Sequence, residues 1–381
     1  MKRKIDFNSV KKQNRLLVLN EIIQHDHLTR SEIARSLDLS NATVGTIADE
    51  MIHLGIIIEE KDMTSSIGRK PSLLRINKDA NLIMVLDLAT KAINYSLLDL
   101  ELNILDTRSH TYDNTITYQE NLDSFLLDTK SWLTSSQMDK IIGIGVSVPG
   151  TYQHDTDAVL CTIVPELTGI NLHSIIAKHF PQSIFIENDM RFLALKDIQK
   201  VVDYKHKSIF FMCLGSGIGG ALCVNGHIYT GANNFAGEIG QTLLTSGQTV
   251  EHAIAWDDFI QNLKRLFPDT AEDALHGAVM NAYAEDHPHV TEAIHRLTDL
   301  IAVPLTNMIW LLNPDTIVIS DQYGIFDQIF IDRIRENITK HIPKGLLGEV
   351  EIMHIKNKSK SVILGAAHVI RRKWLEQLSA Q

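Results

Sequence analysis

Two adjacent residues in the middle of the chain carry chemistry suited to binding and activating a hydroxyl group. Asn188 and Asp189 end the stretch IFIEND and come just before a predicted helix. A carboxylate in a cleft can remove a hydroxyl proton as a general base, and the amide beside it can donate and accept hydrogen bonds. The alternative for Asp189 is a solvated acid or an acid that caps the following helix.

Further along the chain, two carboxylates and a glycine-rich turn could complete such a site. Glu238 lies in GANNFAGEIGQ and Glu251 in TVEHAIAW, and both offer acceptors to sugar hydroxyls. The segment LGSGIGGAL has glycines at 215, 217, 219 and 220, which let backbone N–H groups approach an anion closely. A tight strand–turn–strand that binds no ligand is the alternative for these glycines.

The elements that would position these residues alternate between strands and helices from residue 79 onward. LIMVLDLA, INYSLLDL and NILDTRSH predict an antiparallel meander, a helix is expected near 119–136, and IIGIGVSV has the pattern of a buried strand. IGVSVPG and FMCLGSGIGG are both strand-to-glycine transitions, so two similar α/β halves can be envisaged.

Residues 1–60 instead predict helices separated by short gaps. Apolar residues recur at near-helical spacing in the first of them, at Val10, Leu17, Ile22 and Ile23. Thr29 and Glu32 form a capping-box pattern at the start of the second. Ser40 is a good N-cap for the third, whose buried stripe is predicted at Val44, Ile47 and Met51.

The link between the second and third helices is typical of a helix-turn-helix motif. It is only DLS, and small Ala34 lies in the helix before it. Ile56 and Ile57 would begin a wing, and the polar stretch 61–78 would complete the wing and a linker. We therefore predict a winged helix-turn-helix DNA-binding domain, with three ordinary helices bearing a solvated polar face as the alternative.

The third helix would enter the major groove with its N-terminal residues at base edges. An Asn can pair with adenine there, and a Thr can hydrogen-bond or touch a thymine methyl group. The residues expected at this end are Ser40, Asn41, Thr43 and Thr46. Phosphate contacts are expected from Lys11, Lys12, Arg15, Arg30 and Arg35, and minor-groove or backbone contacts from Arg69 and Lys70 of GRKP.

Charge is distributed in a way that agrees with this assignment. The net charge is -10, yet residues 1–78 carry 13 Lys and Arg against 10 Asp and Glu, while the remainder carries 23 against 36. Because DNA is a polyanion, the N-terminal segment could approach it and the rest of the chain would be repelled.

Composition indicates an ordinary globular protein of more than one domain. The chain has 381 residues, of which 44% are hydrophobic and 22% charged. No run of about 18 apolar residues occurs, and the basic N-terminus lacks the apolar region of a signal peptide. The three cysteines, at 161, 213 and 223, are too scattered for a disulfide framework, so buried thiols and a cytoplasmic location are expected.

These motifs, in this order along nearly the whole chain, resemble the ROK family of repressors and sugar kinases. TRSEIARSLDLSNATV and GRKP resemble the DNA-binding half of its regulator branch, which includes xylose and N-acetylglucosamine repressors. IGVSVPG, IEND, LGSGIGGAL and GANNFAGEIGQ are similar to family segments that carry, in turn, a strand and turn, the sugar-binding Asn with the catalytic Asp, the second phosphate loop and a sugar-contacting Glu. The resemblance implies an actin/hexokinase-like pair of α/β lobes.

Departures from the kinase pattern affect the nucleotide site. ROK kinases begin this half with Asp-x-Gly-Gly-Thr, but here Asp87 is followed by LATK, and side chains at that point block close approach of backbone to phosphate. After TIVIS, Asp321 and Gln322 replace a glycine pair that lies beside adenosine in the family. ATP is therefore not expected as a cofactor, no catalytic activity is expected, and Asp189 would be a vestigial base.

Departures from the family also affect its zinc site. Most members carry a His after Gly-Glu-Ile-Gly and a three-cysteine cluster beyond it, but here Gln241 takes the place of the His and TSGQTVEHAIAW has no cysteine. No metal is expected. Glu166, in VPELTG, replaces an Asn that often precedes the sugar-side loop. The pocket is therefore either adapted to another ligand or vestigial.

The resemblance divides the chain into a winged helix-turn-helix domain with linker (1–78), a ROK N-terminal lobe (79–190) and a C-terminal lobe (191–365) expected to dimerise. The C-terminal helix at 366–381 is expected to pack back on the N-terminal lobe. The predicted protein is a repressor that binds a pseudo-palindromic DNA operator as a homodimer or homotetramer and senses a sugar or sugar derivative. The candidate effector ligands are Asn188, Asp189, Glu238, Gln241, Glu251 and Glu166.

Two alternatives to this function stay open. One is an active ROK sugar kinase with a DNA-binding head, which Asp189 and the intact glycine loop favour. The other is a regulator whose vestigial pocket is controlled by a protein partner. Substitution of the candidate pocket residues would leave regulation unchanged only in the second case.

Overall fold

The computed structural model describes residues 7–25, 27–61, 72–89, 92–161, 164–215, 217–244, 246–271, 274–321, 324, 327–343, 345, 350–357 and 360–379. These residues form two compact units. The first contains the chain up to residue 150, residues 154–187 and the C-terminal segment from 366. The second contains residues 151–153 and 188–365.

The N-terminal part of the first unit is a three-helix cluster with a small antiparallel sheet of order β1-β3-β2. Thr29 and Glu32 form both hydrogen bonds of the predicted capping box, and the Ser40 hydroxyl accepts a hydrogen bond from the Thr43 amide, so both predicted caps are confirmed. The elements are α1 (Phe7–Gln24), β1 (Leu28–Thr29), α2 (Arg30–Ser36), α3 (Asn41–His53), β2 (Ile57–Lys61) and β3 (Ser72–Ile76).

The apolar core of this part follows the predicted stripe in α3, and in α1 it includes the predicted Ile22 but not Val10. Val44, Ile47 and Met51 are buried, as predicted. In α1 the buried residues are Arg15, Val18, Leu19 and Ile22, whereas Val10 is 40% exposed. The spacing of the buried residues is i, i+3, i+4 and i+7, which is one face of a helix, and Val10 lies off that face.

Between residues 79 and 188 the chain builds a five-stranded sheet of order β10-β7-β4-β5-β6. Strands β4, β5 and β6 form the predicted antiparallel meander, and β7 pairs in parallel with β4. The helix predicted near 119–136 is present, but the chain starts a new, capped helix at Ser135. The elements are β4 (Leu82–Leu88), β5 (Ala92–Asp99), β6 (Ile104–Thr111), α4 (Tyr118–Trp132), α5 (Ser135–Lys140), β7 (Ile141–Val148), β8 (Thr151–Gln153), β9 (Ala158–Leu160), α6 (Leu172–His179) and β10 (Ile184–Asn188).

The second unit is built on a five-stranded sheet of order β13-β12-β11-β14-β15. Strands β11, β14 and β15 are parallel, and β12 and β13 extend the sheet as antiparallel hairpins. Its apolar core joins one face of the sheet to helices α11 and α12. The elements are α7 (Asp189–Asp197), β11 (Ser208–Leu214), β12 (Ile218–Val224), β13 (His227–Tyr229), α8 (Val250–Ile254), α9 (Trp256–Leu266), α10 (Leu275–Ala284), α11 (Pro288–Leu312), β14 (Thr316–Asp321), α12 (Gln328–Thr339) and β15 (Glu351–Lys356).

The C-terminal helix α13 (Ser361–Leu378) joins the first unit from Ala366 onward. It crosses β7, where a Cβ at Gly145 would lie 3.1 Å from the Ala366 side chain, so small residues allow close packing. Its last turns reach the N-terminal helices: Leu375 is only 2% exposed and belongs to their apolar core. No helix in the described part of the chain is long and apolar enough to cross a membrane.

Candidate ligand and DNA-binding sites

Asn188 and Asp189 lie where β10 passes into α7. Asn188 is the N-cap of α7, and its side-chain oxygen accepts a hydrogen bond from the Arg191 amide at 3.2 Å. Asp189 is the first helical residue, and its Oδ1 accepts a hydrogen bond from the Met190 amide at 2.8 Å. Burial raises the pKa of the nearby Cys213 thiol, and the charge of Asp189 raises it further. Asp189 is therefore hydrogen-bonded within the first turn of α7, and its negative charge also raises the pKa of a thiol at the end of β11.

The predicted glycine turn connects β11 to β12 as a hairpin. The Gly215 amide donates to the Gly217 carbonyl oxygen at 3.1 Å, which closes the turn. At Gly219 an added Cβ would meet the Met190 side chain at 2.3 Å, and at Gly220 it would meet the Gly237 carbonyl oxygen at 2.6 Å. Close packing against protein atoms therefore explains glycine at 219 and 220 without any ligand.

A second glycine-containing turn packs directly on the start of β12. Added Cβ atoms at Gly237 and Gly240 would lie 2.8 Å from the Gly220 carbonyl oxygen and 2.0 Å from that of Ile218. Neither position accommodates a side chain, because the segment GEIG packs closely against the first residues of β12. This contact places Glu238 and Gln241 beside the hairpin turn.

Glu238 is half-buried in an environment of mixed charge. Burial raises the pKa of its carboxyl group, the neighbouring Arg191 opposes that rise, and the charge of Glu251 adds to it. Arg191 is itself buried, and its Nη2 donates to the carbonyl oxygens of Asn234 at 2.6 Å and Ala236 at 3.4 Å. Sequence reasoning did not single out Arg191, although its place two residues after Asp189, in the predicted helix, was a usable signal.

Among the predicted ligand residues, Glu251 forms a hydrogen bond with the glycine turn. It lies in the first turn of α8, and its Oε2 accepts a hydrogen bond from the Ile218 amide at 2.8 Å. A Cβ at Gly217 would lie 3.1 Å from the same oxygen, so the carboxylate covers the turn. The cavity beside it measures about 150 Å³ and is lined by Gly215, Gly217, Ile218, Glu251, Ala255, Trp256, Asp257 and Asp258.

The two remaining predicted ligand residues, Gln241 and Glu166, are both exposed. Gln241 ends the short 3₁₀ helix Ile239–Gln241 and is exposed. Glu166 is exposed in the 3₁₀ helix Pro165–Leu167 and belongs to the first unit, whereas the other candidates belong to the second.

The loop that would hold zinc in the family does not fit a metal ion here. Backbone hydrogen bonds from Leu244 to Gln248 and from Val250 to Thr242 close it as a hairpin. His252 is exposed, and Cys213 and Cys223 are buried in strands. Within the described ranges no group of three His, Cys, Asp or Glu side chains is arranged to bind a metal.

The two segments that depart from the nucleotide-binding pattern are described in part. Burial raises the pKa of Asp87, which contacts Ser147 and Asn94, and the Tyr112 hydroxyl donates to the Ala89 carbonyl oxygen at 3.0 Å. Asp321 is buried at the end of β14. Thr90, Lys91 and Gln322 lie outside the described residues.

A buried polar network beside Asp321 was also missed from sequence. The side-chain Nδ2 of Asn357 donates to Asp197 at 2.7 Å and to the Ser320 hydroxyl. The Lys196 ammonium group donates to the Asn357 side-chain oxygen at 2.9 Å. Its members come from α7, β14 and the residue after β15, and no local motif joins them.

The predicted base-reading residues lie at the exposed N-terminal end of α3. Asn41 and Thr46 are exposed, and Thr43 is half-buried. The Thr43 hydroxyl is 2.8 Å from that of Ser40, and the Thr46 hydroxyl donates to the Ala42 carbonyl oxygen at 3.0 Å. Among these residues, the Asn41 side chain is therefore the most accessible polar group for a base edge.

The residues predicted to contact phosphate differ in exposure and in whether they already form ion pairs within the protein. Arg15 is only 6% exposed and forms a two-point ion pair with Glu50. Its guanidinium therefore serves the packing of α1 on α3 and does not face a phosphate, contrary to the prediction. Arg30 pairs with Asp49 and Glu59, both at 2.7 Å. Lys11, Lys12 and Arg35 are exposed, and Arg69 and Lys70 lie outside the described residues.

Comparison with known proteins supplies the family and the fold. Residues 83–373 match the profile of the ROK family. A xylose repressor from Caldicellulosiruptor bescii is 25% identical over 385 residues, which cover 95% of this chain and 96% of the repressor. The crystal structure of a ROK family transcriptional regulator, a homologue of the E. coli MLC protein, has a TM-score of 0.70 at 18% identity and covers 97% of this chain and 99% of its own.

A solved enzyme of this family covers a smaller share of the chain. A ROK glucokinase from Streptomyces griseus, solved with glucose and AMPPNP, has a TM-score of 0.57 at 16% identity. It covers 76% of this chain and 98% of its own. These structures confirm the predicted ROK fold.

Proposed function

Because the chain belongs to the ROK family, we propose that it is a sequence-specific DNA-binding repressor whose kinase-like part responds to a sugar. The observation that carries this proposal is the alignment with a xylose repressor over 95% of the chain. The family profile begins only at residue 83, beyond the N-terminal helices, and the ROK glucokinase covers 76% of the chain.

The N-terminal helices and sheet act as a winged helix-turn-helix domain in this proposal. Helix α3 enters the major groove, with Asn41 at a base edge and Thr43 and Thr46 beside it. Lys11, Lys12, Arg35 and the basic pair Arg69 and Lys70 contact the DNA backbone. The ion pairs of Arg30 with Asp49 and Glu59 neutralise acids that would otherwise repel DNA.

Two copies of the chain would present two such helices to a pseudo-palindromic operator. A two-fold protein matches a two-fold site, with half-sites spaced by one or two helical turns. We assign dimerisation to the kinase-like part, as the family resemblance implies.

The effector is a sugar bound by the residues gathered around α7 and the GEIG turn. Asn188, Asp189, Glu238 and Gln241 supply acceptors and donors for hydroxyl groups, and Arg191 holds the GEIG segment in place through the Asn234 and Ala236 carbonyl oxygens. The name of the C. bescii relative makes D-xylose the first ligand to test. A sugar that binds one arrangement of the protein more tightly shifts its affinity for the operator.

ATP-dependent kinase activity is not part of the proposed function. Residues with side chains follow Asp87 where the kinase pattern has glycines, and Glu251 takes up an amide of the glycine turn. Family members include kinases, so a coupled assay for ADP release with hexoses and pentoses tests this point. If the wild-type protein releases ADP and Asp189→Asn does not, the protein is a sugar kinase and this part of the proposal is wrong.

Selection from a random duplex library tests the DNA-binding function. We expect the full-length protein to enrich a two-fold-symmetric sequence and Asn41→Ala to lose discrimination at one position per half-site by about 1–3 kcal/mol. Gln13→Ala, an exposed change on α1, is the matched control. Failure of the wild-type protein to enrich any sequence would disprove the proposal.

A further inference from the structure

We propose that a cavity beneath the C-terminal helix α13 binds a small aromatic carboxylate as a second ligand of this protein. The cavity measures about 190 Å³ and lies entirely within the first unit, between α13 and the strands β7 and β10. It shares no residue with the sugar site proposed above. The inference rests on the packing of the first unit and does not depend on the identity of the sugar.

The face of α13 that lines the cavity has an unusual composition for a helix packed on a sheet. Its lining residues follow the spacing i, i+3, i+4 and i+7 of one helical face: Ile370, Lys373, Trp374 and Gln377. Such a face is normally apolar where it meets a sheet. Ile370 does pack on β7, since its Cγ2 would lie 3.0 Å from a Cβ at Gly143. A cation and a carboxamide follow on the same face, and packing on the sheet does not explain them.

The cavity lies where α13 passes from one apolar core to another. Ile370 packs on the sheet, whereas Leu375 is buried in the core of the N-terminal helices and Trp374 packs against that core. These contacts hold the helix on both sides of the lining segment. Closing the cavity would therefore require one of the two contacts to break.

The walls of the cavity suit an aromatic ring. Ile142, Ile184 and Phe185 line it from the strands. Ile370 and Trp374 line it from the helix. An apolar cavity of about 150 Å³ is large enough to bind benzene, so a cavity of about 190 Å³ accommodates one ring with a small substituent. The two aromatic side chains offer stacked or edge-to-face contacts to such a ring.

The polar groups of the cavity favour a carboxylate as that substituent. The Lys373 ammonium lies 4.2 Å from the centroid of the Phe185 ring, which holds the cation at the cavity wall. No Asp or Glu occurs among the described residues that line the cavity, and Glu376, further along the helix, pairs with Arg372. A bound carboxylate would gain a charge-assisted hydrogen bond from Lys373, and the exposed Gln377 offers a further donor.

Titration of the full-length protein with para-fluorobenzoate, followed by fluorine NMR, tests the proposal. We expect the wild type to bind this probe with a dissociation constant of about 1 mM or below. Lys373→Met keeps much of the side-chain stem but removes the charge, and it should weaken binding about tenfold. The neutral para-fluorobenzamide has the same shape. It should bind the wild type more weakly than the acid does, and Lys373→Met should not weaken it further.

Arg372→Met is the matched control, because Arg372 carries the same charge on the same helix but is not among the residues that line the cavity. It should leave the affinity for para-fluorobenzoate unchanged. Equal losses in the two variants, equal affinities of the wild type for the acid and the amide, or no binding at millimolar concentration would each overturn the proposal. If Lys373→Met does not fold by circular dichroism, the comparison of acid and amide in the wild type decides.

The position of the cavity also predicts an effect on the N-terminal helices. Trp374 lines the cavity and packs on their apolar core, so an occupant should slow hydrogen exchange in α1 and α3. This protection should appear in the wild type and be absent from Lys373→Met at the same concentration of para-fluorobenzoate. Protection confined to the second unit would place the probe at another site and overturn the proposal. Neither readout requires DNA or a sugar, so failure here is distinguishable from failure of the proposed function.

Discussion

The Arg371 guanidinium donates a hydrogen bond of 2.7 Å to the main-chain oxygen of Leu100, 271 positions earlier in the chain. The amide of the same Leu100 donates to the Lys78 carbonyl oxygen at 3.3 Å. Burial lowers the pKa of Arg371 to about 10, and the charges of Asp99 and Glu101 oppose that fall. Leu100 therefore connects the C-terminal helix to the segment that follows the N-terminal domain.

Loss of this contact should destabilise the protein. Arg371→Met keeps much of the apolar stem but leaves the Leu100 carbonyl oxygen buried without its donor. We expect a loss of about 1–3 kcal/mol in the free energy of unfolding, measured by urea denaturation. Arg372→Met is the control, since the side chain of Arg372 is half-buried and forms a long ion pair of 3.9 Å with Glu376 on the same helix, and its loss should change stability by less than about 0.5 kcal/mol. Equal effects would refute the role of Arg371.

The end of α13 should stabilise the N-terminal helices. Leu375 is buried among their apolar residues, including Val18, Leu19 and Met51. Leu375→Ala removes this contact and should cost about 2–4 kcal/mol. Hydrogen exchange should localise the loss to α1 and α3, whereas Gln377→Ala, at an exposed position of the same helix, should leave their exchange unchanged. A loss of protection from exchange confined to the sheet β13-β12-β11-β14-β15 would contradict this packing.

Gly45 lies in the middle of α3, and a Cβ there would meet nothing within 4 Å. Gly45→Ala should therefore stabilise the protein by about 0.5–1 kcal/mol, the usual difference in helix propensity. If α3 lies in the major groove, the same methyl group should weaken operator binding in a fluorescence anisotropy titration. Gly277→Ala in α10, also open within 4 Å, should stabilise the protein without affecting DNA. Unchanged DNA affinity in Gly45→Ala would place α3 outside the groove.

Stability should fall at acidic pH partly because of His354. The pKa of His354 is lowered from 6.5 to about 4, chiefly by burial and also by the charges of Lys356 and His276, while Asp327 opposes them. The unfolded chain takes up a proton below its ordinary pKa while the folded chain does not. Folding is therefore favoured by neutral His354 above pH 6.5, and this contribution is lost as the pH falls toward 4.

The upper limit of this effect is about 3.5 kcal/mol, from about 1.4 kcal/mol per unit of pKa difference, and partial exposure of the side chain makes the real effect smaller. Urea denaturation between pH 7 and pH 4.5 should show a shallower pH dependence in His354→Gln than in the wild type. His252→Gln, at an exposed position, should follow the wild type. Parallel curves for wild type and His354→Gln would exclude His354 as the cause.

Local sequence determined much of the secondary structure. The capping box at Thr29, the N-cap at Ser40 and the stripe Val44, Ile47 and Met51 depend on neighbours within one or two helical turns, so their residue types suffice to predict them. The strands of the meander were equally predictable, because alternation and turn residues are local signals. The motif order along the chain likewise sufficed to predict the ROK fold.

Tertiary structure decided how particular side chains are used. Arg15 has the residue type of a phosphate contact, but packing of α1 on α3 pairs it with Glu50, 35 positions away. Glu251 has the residue type of a sugar ligand, but the fold of α8 on the hairpin brings its carboxylate to the Ile218 amide. The insertion of Leu375 into the N-terminal core is similarly invisible in sequence. Such contacts join residues far apart in the chain, and their geometry depends on the packing of whole elements rather than on local propensity.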